Sequence, residues 1–264
     1  MNIYAQLTMN SLQKQLKDFA ETLGVDYFGV ADLSAAKDFV LNQGGESIAR
    51  FPRAISIGIR LIDSIIDELP HHQDPAVIFT YRGLYNSVNA NLDKATLFIA
   101  KKIQDAGFEA YPIPAAQRID TPKLKGAFSH KLAAHLAGLG WIGKSCLLIT
   151  LERGPRVRWA TILTNAPLQQ TGKPLADRCG NCNKCVKICP VNAFTGAKFN
   201  DSEPRETRFN AYLCDEYIHK RELSLGDGIC GLCVYACPYG QKRKHSTPTE
   251  QDKNLLRKNT LLAG

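Results

Sequence analysis

The chain has 264 residues, enough for one large domain and a smaller one, and 44% of them are hydrophobic, which excludes wholesale disorder. No stretch approaches the roughly 20 apolar residues of a membrane span, and the start, MNIYAQLTMN, lacks the charged and apolar regions of a signal peptide. The formal net charge is +8, and part of the excess lies in a basic C-terminal tail. Such a tail can bind nucleic acid or an acidic redox partner, or it can simply be solvated. We therefore expect a cytoplasmic protein without membrane contact.

Helix and strand patterns are mixed through the first 170 residues. The predicted elements are a helix at 11–23, strands at 25–30 and 54–61, an apolar run at 77–81, a helix at 87–106, an extended segment at 110–113 and a helix at 128–137. Ser11 is the expected cap of the first helix, and Gly24 its end. The β-rich segments 146–151 and 157–164 are expected to pair as a hairpin. This part is therefore predicted to be an α+β domain.

A polar linker near residue 170 divides the chain in this interpretation. Residues 1–170 form the predicted cofactor and substrate domain. Residues 171–245 form a predicted ferredoxin-like module, and residues 246–264 a basic tail.

The cysteines are concentrated in the predicted second module. The first 145 residues contain none, and eight of the nine lie between Cys179 and Cys237. A disulfide framework would spread over the chain, whereas clustering at short spacings indicates metal ligation. The first run, C-x2-C-x2-C-x3-C-P, matches that of bacterial ferredoxins, in which the fourth cysteine ligates the other cluster. The second run repeats the x3-C-P ending.

We therefore predict two [4Fe–4S] clusters. One is assigned to Cys179, Cys182, Cys185 and Cys237, and the other to Cys189, Cys214, Cys230 and Cys233. A pair of zinc sites is the alternative, but zinc does not explain the third cysteine at x2 spacing. Cys146 lies outside both groups and is expected to be a buried hydrophobic residue, with a catalytic role as the alternative.

One further run connects this module to a known family. Residues 134–144 read AHLAGLGWIGK and precede SCLLIT, and the cysteine runs CGNCNKCVKICPVNA and CGLCVYACPYG follow. In this order the chain resembles the epoxyqueuosine reductase family over roughly residues 75–240. The resemblance implies a nitroreductase-like, cobalamin-binding N-terminal domain followed by a bacterial-ferredoxin-like double-cluster module.

The resemblance also implies a chemistry. Electrons would pass through two clusters to a corrinoid, with FMN as the alternative, and reduce a bound substrate. In the family that substrate is the epoxide of epoxyqueuosine in transfer RNA. The chain resembles a shortened branch without a helical-repeat extension, so a small-molecule substrate is also expected. An electron donor such as ferredoxin or flavodoxin is implied as a partner.

Candidate site residues follow from the same resemblance and from residue chemistry. Asp120 is the nearest match to the family's proposed proton donor, and His130 or Lys131 is the reserve. Tyr81 can also donate a proton near a reduced carbon. The residues assigned to the cofactor are Gly138, Gly140, Trp141, Gly143 and Lys144, although this run is also typical of a glycine turn that packs a helix on a strand.

Two other functions stay open at this point. The chain could be an electron-transfer protein without a substrate of its own, delivering electrons to a partner enzyme. It could also be a redox sensor or a transfer RNA-binding protein that uses its clusters structurally.

Overall fold

The computed structural model describes residues 3–120 and 122–241, with side chains from Ser11 onward. Its centre is a four-stranded antiparallel sheet in the order β1-β2-β6-β3. The strands are β1 (Tyr27–Asp32), β2 (Arg53–Arg60), β3 (Ala110–Ile113) and β6 (Val157–Thr164). β6 is rich in valine, isoleucine and threonine and is almost fully buried, as suits a central strand. Pro112 lies in the edge strand β3, where its missing N–H is tolerated.

One face of the sheet is covered by two long helices, α1 (Ile3–Thr22) and α5 (Pro75–Asp105). Asp74 caps α5 by accepting a hydrogen bond from the backbone N–H of Ala76 at 2.8 Å. The inward stripe of α5 packs on Ile55 and Ile57 of β2 in the main core, and its members are Val88, Leu92, Ala95, Ile99 and Ile103. The 3.6-residue spacing of this stripe explains the helix.

The other face carries three short helices, α2 (Lys37–Gly44), α3 (Glu46–Ala49) and α6 (His130–Leu136). Val40, Ile48 and Leu132 form a second core there with Leu163 of β6. The N-terminal part is therefore a helix–sheet–helix arrangement of three layers. Beside it, the short strands β4 (Trp141–Ile142) and β5 (Leu148–Ile149) pair with each other.

The cysteine-rich segment is continuous with the main core. It contains α7 (Lys184–Lys187), α8 (Ala211–Leu225) and α9 (Leu232–Tyr235), and α9 packs near α4 (Asp63–Asp67). Ile229 and Val234 are buried in the same apolar cluster as the α5 stripe. Changes in this segment are therefore expected to reach the sheet domain through packing.

Three sequence expectations differ from the structure. The first helix begins at Ile3, so Ser11 lies inside it and is not its cap. The apolar run 77–81 belongs to α5, because Asp74 and Pro75 start that helix earlier. The hairpin of 146–151 with 157–164 is wrong, since β6 is already paired on both edges and β5 pairs with β4.

Other expectations agree with the structure. The segment 110–113 is a strand, and Gly24 has a φ of 79° after the end of α1. The mixed α and β character is confirmed. The nitroreductase-like and ferredoxin-like assignments and the boundary near 170 stay predictions, and the basic tail 246–264 lies outside the described residues. Within the part of the chain that the structure describes, no helix is long and apolar enough to span a membrane.

Candidate cluster sites and adjoining cavity

Four cysteine thiols form a first thiol group: Cys179, Cys182, Cys185 and Cys237. Burial raises the pKa of Cys185 to about 11, and the neighbouring thiols of Cys179 and Cys182 add to this shift. Burial likewise raises the pKa of Cys237 to about 11, with further contributions from Cys179 and Cys185. Cys237 follows α9, far along the chain from the first loop, and the fold brings it back beside that loop.

A second thiol group contains Cys189, Cys214, Cys230 and Cys233. Burial raises the pKa of Cys214 to about 11, and Cys230 and Cys189 add to the shift. Burial also raises the pKa of Cys233, which is influenced by Cys230, Cys214, Cys185 and Cys189. Since Cys185 belongs to the first group, Cys233 lies on the side that faces it.

Backbone amides point at these sulfurs. The N–H of Ala193 donates to Sγ of Cys189 at 3.3 Å. The N–H groups of Leu232 and Tyr239 lie beside the sulfurs of Cys230 and Cys237 and lower the pKa of those thiols, whereas the N–H of Gly240 donates to the carbonyl of Cys237 at 2.9 Å. Amide–sulfur hydrogen bonds of this kind stabilise thiolates and tune iron–sulfur clusters.

The spacing of the thiols bears on the choice between clusters and zinc. All nine cysteines are free of disulfides. Among the described residues, no three His, Cys, Asp or Glu side chains stand close enough to hold a single metal ion. A four-iron cubane holds its thiolates further apart than one tetrahedral zinc ion does. The [4Fe–4S] assignment continues to rest on the ferredoxin-like spacing of the cysteine runs.

The GLGWIGK run lies against the first thiol group. Burial raises the pKa of the Cys179 thiol, and the backbone N–H of Lys144 and the indole N–H of Trp141, which lie beside the sulfur, oppose that shift. A Cβ on Gly143 would stand 3.3 Å from Sγ of Cys179. The Lys144 ammonium donates to the carbonyl of Gly180 at 2.9 Å and to Oδ1 of Asn183 at 3.0 Å. Three of the five residues assigned to a cofactor pocket thus hold the first cysteine loop.

The other two glycines of this run make backbone contacts. Gly138 has a φ of 78°, and a Cβ there would stand 2.9 Å from Cα of Gly172. A Cβ on Gly140 would collide with the carbonyl of Ile149. These positions require glycine for packing, and none of the five residues lines the cavity described next. The cofactor role of the assigned set stays a prediction, and the set does not line this cavity.

A cavity of about 230 Å³ opens beside β5 and the start of β6. Its walls come from α6, from the segment before β5 and from β6. They are lined by Ala115, Ser129, His130, Lys131, Cys146, Leu147, Leu148, Pro155, Val157, Arg158 and Trp159.

His130 lines this cavity with both ring nitrogens occupied. Nε2 lies 3.1 Å from the carbonyl of Pro114 and Nδ1 lies 2.9 Å from Oγ1 of Thr161. A carbonyl only accepts, so Nε2 carries the proton and Nδ1 accepts from the threonine hydroxyl. Burial lowers the pKa of His130 to about 4. The ring is therefore neutral near pH 7, and its one N–H is already donated.

Two cationic side chains stand at the same cavity. Burial lowers the pKa of Lys131, whose ammonium donates to the carbonyl of Cys146 at 2.7 Å. The guanidinium of Arg158 donates to Oδ1 of Asn89 at 3.1 Å and to the Tyr85 hydroxyl at 3.2 Å. It also lies 4.3 Å from the centre of the Tyr85 ring.

Tyr81 lies between the second thiol group and the cavity wall. Its ring packs on the loop of that group, because a Cβ on Gly231 would stand 2.6 Å from Cε1 of Tyr81. Burial raises the pKa of Tyr81, Cys233 raises it further and Arg158 opposes the shift. Tyr81 therefore contacts the cluster side of this wall, although it does not line the cavity.

Asp120 lies on a surface loop and not in the cavity wall. Its Oδ1 accepts from the backbone N–H of Lys123 at 2.8 Å, and its backbone pairs with Lys125. The loop is attached to the cysteine-rich module, where Arg205 donates to the carbonyl of Leu124 and Tyr212 donates to that of Pro122. His130 therefore lines the cavity, whereas Asp120 does not.

Two arginines at the start of β6 lie inside the protein. Arg156 is fully buried and pairs with Asp63 at 3.0 Å and Asp67 at 2.6 Å. Arg158 is half-buried in the cavity wall. The β pattern of residues 157–164 is the sequence feature that indicates this burial of Arg158, because alternate residues of a central strand point into a layer on each side. Cys146 is buried, as expected, with a φ of 54°.

Residues 178–240 match the family described as the 4Fe-4S double cluster binding domain. Two curated relatives are named epoxyqueuosine reductase. The Bacillus cereus protein is 32% identical over 173 residues, which are 63% of this chain and 41% of that protein. The Leadbetterella byssophila protein is 26% identical over 269 residues, which are 90% of this chain and 83% of that protein. The chain thus matches less than half of the Bacillus protein.

Solved structures share the fold. An epoxyqueuosine reductase with an epoxyqueuosine-modified tRNA-Tyr stem loop has a TM-score of 0.53 at 19% identity, over 88% of this chain and 66% of that one. A reductive dehalogenase, whose structure suggests a mechanism for B12-dependent dehalogenation, has a TM-score of 0.61 at 17% identity, over 93% of this chain and 33% of that one. The chain is thus similar to the epoxyqueuosine reductases, the family that its GLGWIGK run resembles, and residues 178–240 match the 4Fe-4S double cluster binding domain.

Proposed function

We propose that this protein is an iron–sulfur oxidoreductase that passes electrons through two [4Fe–4S] clusters to a reducible group at the cavity beside Arg158. The observation that carries the proposal is the position of the second thiol group. Cys233 faces the first group on one side and lies near Tyr81 on the other. A route from the outer cysteine loop to the cavity wall therefore runs through packed residues.

The proposed ligands are the two thiol groups as defined above. Bound [4Fe–4S] clusters supply one-electron transfer steps. The chain's own part is to hold eight sulfurs, to supply amide donors to them, and to bury the inner group. The loop of the first group is the more exposed one, with Lys184 and Lys187 at its surface. That exposure suits entry of electrons from a donor such as ferredoxin or flavodoxin, in a cytoplasmic setting.

The Arg82–Asp227 pair supports the inner site. Arg82 forms a forked ion pair with Asp227, with Nε at 2.7 Å and a terminal nitrogen at 2.6 Å. Against the effect of burial, Arg82 and the N–H of Ile229 lower the pKa of the Asp227 carboxyl. The pair ties α5 to the loop that precedes Cys230. This fixes the second thiol group against the sheet domain.

The finer proposal is that the reducible group is a corrinoid, with FMN as the alternative. Its support is the likeness to reductive dehalogenases, one of them described as B12-dependent. The GLGWIGK residues do not support it, because they hold the first cysteine loop. A corrinoid would therefore contact the chain elsewhere, and the walls around Arg158 and Tyr85 are the adjoining surface.

The substrate is proposed by relationship. Relatives named epoxyqueuosine reductase, one of them solved with a modified transfer RNA stem loop, suggest the epoxide in transfer RNA. A small molecule is the other proposed class of substrate, since the cavity beside Arg158 has a volume of about 230 Å³. Reduction of either needs a proton as well as electrons.

Asp120 is the first proposed proton donor because it occupies the nearest matching position. To approach the cavity, its loop would have to leave its hydrogen bonds with Arg205 and Tyr212. His130 has a weaker claim, since its N–H is donated to Pro114. Tyr81 also has a weaker claim, because it is buried against the cluster loop.

The test begins with anaerobically reconstituted protein. About eight irons and eight sulfides per chain are expected, together with uptake of cobalamin or FMN that adds that cofactor's absorption bands. Clusters without any such uptake would instead support the electron-transfer protein. Stoichiometric zinc with little iron would contradict the cluster assignment.

The donor is tested in the loaded protein with Asp120→Asn and His130→Ala, after both clusters and cofactor are verified. Slower turnover in Asp120→Asn alone supports Asp120. Wild-type turnover in Asp120→Asn with an inactive His130→Ala variant would transfer the role to His130. Asp18→Asn, on the exposed face of α1, is the matched control.

A further inference from the structure

The cavity beside β6 carries positive charge that nothing in its walls neutralises. Lys131 and Arg158 line it, and the lining contains no aspartate or glutamate. Neither Lys131 nor Arg158 forms an ion pair with an aspartate or glutamate among the side chains that the structure describes. Partly buried cations without a counter-charge are costly. A negative ligand would remove that cost.

The uncharged polar groups of the wall are also donors. The hydroxyl of Ser129, the residue before α6, makes no side-chain hydrogen bond within the described structure. Trp159 contributes its ring to the wall, since its indole Nε1 has no exposed surface. After its bond to the carbonyl of Cys146, Lys131 has further N–H groups to offer. The cavity therefore presents unused donors to a ligand rich in acceptors.

Neutral His130 neither adds a charge to the cavity wall nor offers a free hydrogen-bonding nitrogen to the ligand. Its N–H and its acceptor nitrogen are both engaged, with Pro114 and Thr161. Arg158 likewise uses only neutral partners, Asn89 and Tyr85. These contacts orient the guanidinium and leave its charge unbalanced.

Size and apolar surface limit the ligand further. The volume of about 230 Å³ is below the range of about 300–1,000 Å³ that is usual for larger ligands. Leu148, Val157 and Trp159 give the wall an apolar and partly aromatic side. From these features we infer that the cavity binds a small organic anion, a carboxylate on a flat apolar body, through Lys131 and Arg158.

This inference deepens the proposed function, on which it rests for the identity of the anion as a substrate. Binding itself needs no turnover. The two can therefore fail separately, provided that binding and cluster content are measured on the same sample.

The experiment uses the reconstituted full chain and titrates it anaerobically with benzoate by calorimetry. Benzamide is the neutral ligand of matching shape. We expect one benzoate per chain and binding at least tenfold weaker for benzamide. Lys131→Met and Arg158→Gln should each weaken benzoate binding at least tenfold. Lys101→Met, at an exposed position of α5, should bind as wild type does.

Charge-retaining variants separate charge from folding. Lys131→Arg and Arg158→Lys should recover part of the affinity that the neutral variants lose. The inference is overturned by equal affinity for benzoate and benzamide, by wild-type affinity in both neutral variants, or by no benzoate binding at millimolar concentration. Cluster absorbance of the same samples reports on the reductase proposal independently. Benzoate binding with no cluster would overturn the reductase and leave the anion site standing.

Discussion

The indole N–H of Trp141 lies beside the thiol of Cys179 and, against the effect of burial, lowers the pKa of that thiol, although the two residues belong to different parts of the chain. Trp141 is 1% exposed, and within the described structure its Nε1 has no nitrogen or oxygen partner. Its ring is held edge-on by Tyr239, with centroids 4.8 Å apart. The sheet domain therefore supplies a fixed donor to a proposed cluster ligand.

Replacing this donor is expected to change the potential of one cluster. In Trp141→Phe, the reduced, more negative cluster would lose about 1 kcal/mol of hydrogen bonding. The first cluster's potential should therefore fall by about 40 mV, since about 59 mV corresponds to a tenfold change for one electron. An anaerobic redox titration followed by electron paramagnetic resonance measures this shift. Trp159→Phe, distant from the cysteine loops, should not change either potential.

Iron content after single cysteine substitutions tests the ligand assignment. Cys182→Ser and Cys233→Ser should each leave about four of the eight irons, because each removes one thiolate from a different cluster. Cys146→Ser should keep all eight, since Cys146 is buried against the cavity and lies in neither thiol group. Iron loss from the Cys146 variant in a folded protein would count against the assignment.

Features that depend on neighbouring residues could be predicted from the sequence, whereas features that depend on residues far apart in the chain could not. Local signals were sufficient for the part of α5 from residue 87 to its end, where an apolar stripe is followed by a glycine, and for the strand at 110–113, but they missed the start of α5 at Pro75. The cysteine runs were sufficient for the double-cluster segment. The pairing of β5 was not predictable, because it depends on β6 being enclosed by β2 and β3, a matter of competition between distant strands.

The candidate site shows the same division. The GLGWIGK run was correctly singled out, but its contact with Cys179 joins residues 38 positions apart and has no periodic signature. Arg156 and Arg158 alternate with apolar residues in a way that also fits an exposed turn. The internal positions of these arginines depend on tertiary packing, which brings Asp63 to Arg156 and Asn89 to Arg158.

Removing Arg82 is expected to loosen the inner cluster site. Arg82→Met leaves the carboxylate of Asp227, which is 8% exposed, without its forked partner. The cost is about 2 kcal/mol after allowance for the partial exposure of Arg82. Chelator-driven iron release should then be about tenfold faster for half of the iron. Arg50→Met, whose partner Glu109 is on the surface, should release iron at the wild-type rate.

Substitution of Arg156 is expected to lower the free energy of unfolding more than most single substitutions do. It is fully buried between Asp63 and Asp67, and joins α4 to the start of β6. Arg156→Met leaves Asp63 with only Arg153, at 3.2 Å, and should lower the free energy of unfolding by about 3 kcal/mol. Urea unfolding of the holoprotein measures it. Lys14→Met breaks an exposed pair and should cost no more than about 0.5 kcal/mol.

The pH dependence of stability tests the state of His130. The ring has a pKa of about 4 in the folded chain, against 6.5 as its ordinary value. Between these values the unfolded chain binds the proton and the folded chain does not, so stability falls as the pH drops from about 6.5 toward 4. From pH 7 to pH 5 the loss due to this ring is about 1.5 kcal/mol, discounted for partial exposure.

Urea unfolding of the wild type and of His130→Gln at both pH values isolates this contribution, because cluster effects are common to the two proteins. The loss between pH 7 and pH 5 should be smaller by about 1.5 kcal/mol in His130→Gln. His219→Gln, at an exposed position on α8, should keep the wild-type difference. An identical pH dependence in wild type and His130→Gln would mean that the folded ring takes up a proton freely. His130 would then be released from Pro114 and Thr161 and available as the acid that Asp120 is proposed to be.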